Sequence, residues 1–279
     1  MWVKKAEMSM ARSYFGLVPL DGKLYAVGGG TGEWSTPLDI NEVYDSQTDS
    51  WTTLPPLPSP RRSLSAAAVG PIIYAIGGGD EKSIVGTNEA FDTRTRTWTR
   101  KAPMPTPRID LAVVEAGGLI YATGGFDGSQ DLDAFEVYDP QADTWQALPP
   151  LPTSRYGLTG VALAGKVYAI GGRSRSELTP VVEVYDPATK TWTTRAPMSE
   201  GRASFGAAVV NGRIHVVAHT DHESYDPRTN TWRREADLPY ARHSVVAASL
   251  NGVFFAVGGC SEAFKDLARV DAIALRPGG

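Results

Sequence analysis

The 279-residue chain holds a single cysteine, Cys260, so no disulfide can form within it. It has no apolar run long enough for a membrane-spanning helix, and no stretch sustains a helical period of apolar residues. Neither sign of charge dominates. The 27 basic and 31 acidic residues leave a formal net charge of −4, which gives no general attraction to nucleic acid or to an anionic membrane. Histidine is scarce, with four copies at 215, 219, 222 and 243. No P-loop, nucleophile elbow or dinucleotide fingerprint stands in a strand–helix context. The reading is therefore an all-β chain with no cofactor and with neither nucleic acid nor membrane as a partner. A cytoplasmic location is expected, because the first strand begins at Trp2 and leaves no room for a signal peptide. A secreted protein whose leader has been removed fits the same residues.

What the chain does contain is a period. Tryptophan recurs at 51, 98, 145 and 192, 47 residues apart each time, with further copies at Trp2 and Trp232. Ten residues after each stands an arginine: Arg12, Arg61, Arg108, Arg155, Arg202 and Arg242. Sixteen residues beyond each arginine comes Gly28, Gly77, Gly124, Gly171, Ala218 or Gly258. A fixed period of this length marks units that cannot bury their apolar faces alone and must stack on neighbours.

Within a unit, each arginine opens a run of small and apolar residues, such as 63–69. Pairs such as Asp21-Gly22, Asn211-Gly212 and Asn251-Gly252 then suit two-residue hairpin turns. An apolar-aromatic strand such as Ile73-Tyr74-Ala75-Ile76 follows and ends in a glycine pair, where a side chain would obstruct a turn or a close backbone approach. A third segment reads Glu-x-Tyr-Asp from Glu42, Glu136, Glu183 and Glu223, with Phe91 replacing Tyr after Glu89. The Trp of a fourth short strand lies seven residues after that Tyr or Phe. Four antiparallel strands per unit make one propeller blade.

The glycine pair, the Glu-x-Tyr-Asp segment and the spaced Trp resemble the Kelch repeat, in six copies that cover essentially the whole chain. The expected fold is a single-domain, six-bladed β-propeller, with blades over about residues 11–56, 60–103, 107–150, 154–197, 201–237 and 241–279. Residues 2–6 match 98–102, so the chain begins with a fourth strand, whereas residues 269–275 match a third. The sixth blade thus needs residues 1–6 as its outer strand, which removes two ragged edges. Kelch propellers are known to close in this manner, and the repeat phase says so independently. A monomer is expected.

All variation in length sits between the second and third strands. From the first glycine to the Tyr or Phe the interval is 16, 14, 14, 14 and 7 residues in blades one to five. Antiparallel topology places these loops at the same end of the ring as the arginine-bearing links between blades. Variable loops on a rigid scaffold are where binding concentrates, and the Kelch resemblance implies that this face receives ligand. Its candidate contacts are Trp34, Phe126, Arg173 and Phe264 from the loops, aromatic and arginine anchors of the kind found at protein interfaces.

Two readings of the six arginines stay open. They form a cationic collar that selects carboxylate or phosphate, or each pairs with the Glu that opens the third strand of its blade. The residues that follow them vary, and Arg62, Asp110, Tyr156 and His243 depart most from a common type. Blade five is irregular: Ala218-His219 replaces the glycine pair and His215 the usual Tyr. His219, Asp221 and His222 could offer a metal three ligands, but the spacing fits no zinc signature, and no metal is expected.

The preferred function is a non-enzymatic module that binds a protein segment or an acidic ligand. The alternative is an enzyme acting on an acidic sugar, of the mutarotase or epimerase kind, which needs only arginines and a carboxylate or histidine in a pocket. A galactose oxidase-like copper site would need a Tyr–Cys crosslink, and Cys260 has no evident ligand set around it. The iron motif of specifier proteins, a Glu, an Asp and a Cys at four-residue spacing, is absent, since Ala256 stands four before Cys260.

Overall fold

A computed structural model describes residues 1–32 and 36–275. Six four-stranded antiparallel sheets form the blades of a β-propeller, with no α-helix among the described residues. Blade one comprises Gly16–Leu20, Lys23–Val27, Asn41–Asp45 and Ser50–Thr53. Blades two to five repeat that meander in sequence order. Blade six combines Val246–Leu250, Val253–Val257 and Val270–Ala274 with the N-terminal strand Val3–Lys5, which pairs Lys4 with Asp271. The ring is closed from both chain ends, as the repeat phase requires.

The core lies between blades rather than inside any one of them. Blades four and five, for example, share Val161, Tyr168, Val184, Phe205, Ile214 and Tyr225. Alternation along each strand sends one row of side chains to each neighbouring blade, so a lone blade would expose both faces. The tryptophans fasten these joints from outside. Trp98 Nε1 donates to Pro55 O (3.0 Å), Trp145 to Ala102 O (2.8 Å) and Trp2 to Ala236 O (2.9 Å), each reaching the link before the neighbouring blade. The Trp98 ring also packs 5.0 Å from Phe91.

The glycine pair has a specific cause. Gly77 holds φ +68°, and a Cβ there would lie 2.8 Å from Arg108 O in the next blade. The following N–H, that of Gly78, donates to the same carbonyl at 2.9 Å. Each blade is thus docked through its second-strand end to the arginine backbone of the next.

Candidate ligand-binding face

The arginine side chains complete that joint. Arg12 binds Glu42 (2.6 Å), Arg61 Glu89 (2.8 Å), Arg108 Glu136 (2.6 Å), Arg155 Glu183 (2.5 Å), Arg202 Glu223 (2.7 Å) and Arg242 Asp271 (2.8 Å). Five of the six are fully buried, and Arg202 is nearly so. Most reach a second-strand carbonyl too, as Arg61 Nη2 does to Ala75 O. Burial lowers the pKa of Arg12, Arg61, Arg108 and Arg155, while the paired glutamate pulls each back up; Arg242 is lowered to about 10. The collar reading is corrected accordingly. These six guanidiniums, all counted as candidate ligand contacts from sequence, point into the blades and meet repeated carboxylates. Every blade needs that joint, which is why every blade carries the arginine.

The next residue along is different. A two-strand bridge joins Arg62 to Gly79, Ile109 to Phe126, Tyr156 to Arg173 and His243 to Cys260. Links and variable loops therefore meet at one end of the ring and form its lip. Arg62 is half-buried and makes no ion pair within 4 Å among the described residues, although its charge acts on Asp110. Tyr156 packs against Phe126 at 5.3 Å between ring centroids. Arg173 sits in a short hairpin with Glu177–Leu178 and donates to Ser176 O at 2.9 Å. Across the mouth His243 lies edge-on to His219 (3.9 Å) and parallel to Phe264 (5.9 Å, 7°), and the Phe264 ring is 73 % exposed. Trp34 lies outside the described residues.

One step further in, a second ring narrows the channel. Tyr14, Ser63, Asp110, Gly157, Ser204 and Ser244 all hold positive φ, between 51° and 62°. Their backbones are linked blade to blade: Ser63 N–H donates to Tyr14 O, Asp110 to Ser63 O, Gly157 to Asp110 O and Ser204 to Gly157 O, at 2.7–3.1 Å. The left-handed turn leaves these side chains lining a cavity of about 170 Å³ at the channel mouth. Six hydroxyls, of Tyr14, Ser63, Ser65, Thr159, Ser204 and Ser244, and the Asp110 carboxyl line it, with no cation among the described lining residues. Burial raises the pKa of Asp110, opposed by its hydrogen bond to Ser63 and by the charge of Arg62. Burial likewise raises Tyr14, which bonds Ser244, and lowers His243, with His219 adding to the effect. The positions were visible in the sequence, but the shared turn was not, since only Gly157 advertises positive φ.

The residues weighed as metal ligands are not brought together. His219 occupies the turn between Arg213–Ala218 and Asp221–Asp226, with φ +52°. Asp221 faces Arg202 and Arg234, whereas His222 is fully buried on the opposite face of the strand against His215. Among the described residues no group of three or more metal-ligating side chains occurs.

A six-bladed ring of Glu-x-Tyr-Asp repeats, joined by arginine–carboxylate pairs, defines a Kelch-type propeller, and the comparisons agree. Residues 14–218 match the KLHDC2/KLHL20/DRC7 Kelch-repeats domain, so the chain belongs to the Kelch-repeat family. Human Kelch-like protein 33 is 42 % identical over 77 residues, covering 28 % of this chain and 14 % of that protein. The Xenopus laevis influenza virus NS1A-binding protein homolog is 38 % identical over 76 residues, 27 % of this chain and 12 % of its own length. Alpha-scruin of Limulus polyphemus is 34 % identical over 77 residues, 28 % of this chain and 8 % of its own. The chain thus matches only a small part of each of these relatives. The solved structure of YjhT superposes with a TM-score of 0.85 over 98 % of this chain and 97 % of its own at 17 % identity, a likeness of fold alone.

Proposed function

We propose that the protein is a non-enzymatic binding module that takes a protein segment bearing acidic groups across the lip of the loop face. One observation carries this reading. Scaffold pairing consumes the arginine at every repeat position, yet leaves Arg62 at the lip without an ion pair among the described residues. The Phe126–Tyr156 contact and the His243–Phe264 stack add aromatic anchors elsewhere on the same lip. The mouth cavity of about 170 Å³ continues into about 280 Å³ of channel that shares Leu17, Ala66 and Val113 with it, a depth open to one inserted side chain. Kelch-repeat proteins commonly bind proteins, and one relative is named for it.

In this reading the acidic group meets Arg62 on the lip, while a hydroxyl-bearing or uncharged side chain enters the cavity. Arg62→Ala should weaken binding of an acidic peptide selected from a peptide array, and added salt should weaken the unaltered complex. Unchanged affinity in the variant would remove Arg62 from the site. One feature favours the second reading, an enzyme acting on an acidic sugar: Asp110 offers a carboxyl with a raised pKa inside the mouth. Asp110→Asn separates the two. An enzyme would lose turnover of sugar acids, whereas a binding module would show no turnover to lose.

A further inference from the structure

Blade five hides a histidine pair beneath the N-terminal strand. His215 and His222 are both buried, with His215 Nδ1 3.0 Å from His222 Nε2. His222 Nδ1 lies 3.2 Å from Ala236 O, and the Trp2 indole donates to that same carbonyl at 2.9 Å. Trp2 also packs edge-on against His222, with centroids 5.6 Å apart, while Phe254 stacks on His222 at 5.4 Å and meets Trp2 at 6.1 Å. Ala236 O carries no proton, so His222 Nδ1 is the donor there. With both rings neutral, His222 Nε2 then accepts from His215 Nδ1–H.

We propose that this pair makes ring closure acid-labile, protonation of the histidines releasing the strand Val3–Lys5 from blade six. A first proton can be held as a His222 imidazolium if His215 changes tautomer, but the charge then sits in a niche closed by Trp2 and Phe254. A second proton sets two N–H groups against each other at 3.0 Å. The charged groups facing the pair are mixed: Glu235 and Asp237 favour the protonated forms, and Arg233 and Arg213 oppose them. Glu235 is already engaged by Ser224 (2.6 Å) and Arg233 (2.7 Å). The least disruptive way to hydrate a charged His222 is to lift Trp2, because Val3–Lys5 is held along one side only, by three residue pairs.

The direction of the pKa shifts agrees. Burial lowers both histidines, His215 to about 3, against an unfolded value of 6.5. A base with a depressed folded pKa leaves stability intact above the unfolded value. Stability is then lost as pH falls from 6.5 towards 3, where the open form takes up protons that the closed form refuses. Asp49, which also holds this segment through Ala6 N–H, is kept below the usual carboxylate range by that bond and by Tyr44, and stays charged at pH 5.

Amide exchange at pH 7.5 and 5, corrected for intrinsic rates, tests the proposal on the full chain. Thr144–Ala147, the outer strand of blade three, serves as internal reference. The opening constant of Val3–Lys5 should rise by up to tenfold per pH unit for each proton taken up below pH 6.5, with the reference strand unmoved. H215Y/H222F installs the Tyr121 and Phe135 pair of blade three at the same register, and it should abolish the selective rise. Equal acceleration of both strands in the unaltered protein, or a selective rise that survives in the double variant, would overturn the proposal. The comparison of the two strands decides by itself if the double variant does not fold.

Discussion

Blade five and its five neighbours have the same four strands and differ in almost everything between them. Elsewhere, a glycine pair at positive φ receives the next blade closely, and a loop of some length follows. In blade five Ala218 and His219 take those places, and the turn shrinks to His219-Thr220. The backbone joint survives, because His219 N–H still donates to Arg242 O at 3.0 Å with φ +52°. At the second position the joint thus survives without glycine as long as positive φ is kept, whereas Ala218 at the first position has lost the positive φ that Gly77 holds.

The interior of blade five differs as well. Where blade three stacks Tyr121 on Phe135, blade five places two histidines, with Ser224 bonded to Glu235 beside them. Its arginine, Arg202, is the least buried of the six at 6 % and shares its pair with Asp221 at 3.7 Å. The five regular blades set the ring. Blade five, relieved of its loop, has become polar inside and open at the rim.

The comparison can be broken at several points. Deleting residues 1–6 should have the largest effect, removing three strand pairs and the Trp2 indole from the closure. A loss at least as large as the about 3–5 kcal/mol for truncating a large aromatic is expected in denaturant melts. Thermal stability equal to that of the full chain would refute closure from both ends. Arg108→Ala comes next. Stranding Glu136 in a buried site should lower stability by about 3–5 kcal/mol. Arg202→Ala should cost roughly half of that by the same reasoning, since the partly open rim lets water reach Glu223. Equal losses would mean that blade five is as closed as the others. The smallest effect is that of Trp98→Phe, which keeps the ring against Phe91 but removes the donor to Pro55 O, for about 1 kcal/mol.

Much of this was legible because the repeats keep register. With no insertion between Trp and Arg or between Arg and Gly, strand order, closure and the shared end of links and loops all follow from counting. The arginine–glutamate joint was visible as one of two readings, because both residue types recur. The choice between them needed burial, which spacing does not carry. The left-handed ring was hidden by chemistry, since Tyr14, Asp110 and three serines share a backbone angle but no residue type. The buried histidine pair was hidden for a simpler reason. Adjacency in sequence grouped His219, Asp221 and His222, whereas strand alternation separates Asp221 from His222. The hairpin instead pairs Val217 with His222 and so brings His215 to it diagonally.

Arg61 and Arg62 are neighbours in sequence with opposite assignments, one to the scaffold and one to the lip, and measuring both alanine variants side by side tests the account most directly. Stability by denaturant melt and affinity for an acidic peptide should be read on the same preparations. Arg61→Ala should lose about 3–5 kcal/mol of stability through the stranded Glu89. Arg62→Ala should stay within about 0.5 kcal/mol and lose salt-sensitive peptide binding. A stable Arg61→Ala that no longer binds, together with a destabilised Arg62→Ala that still does, would contradict it.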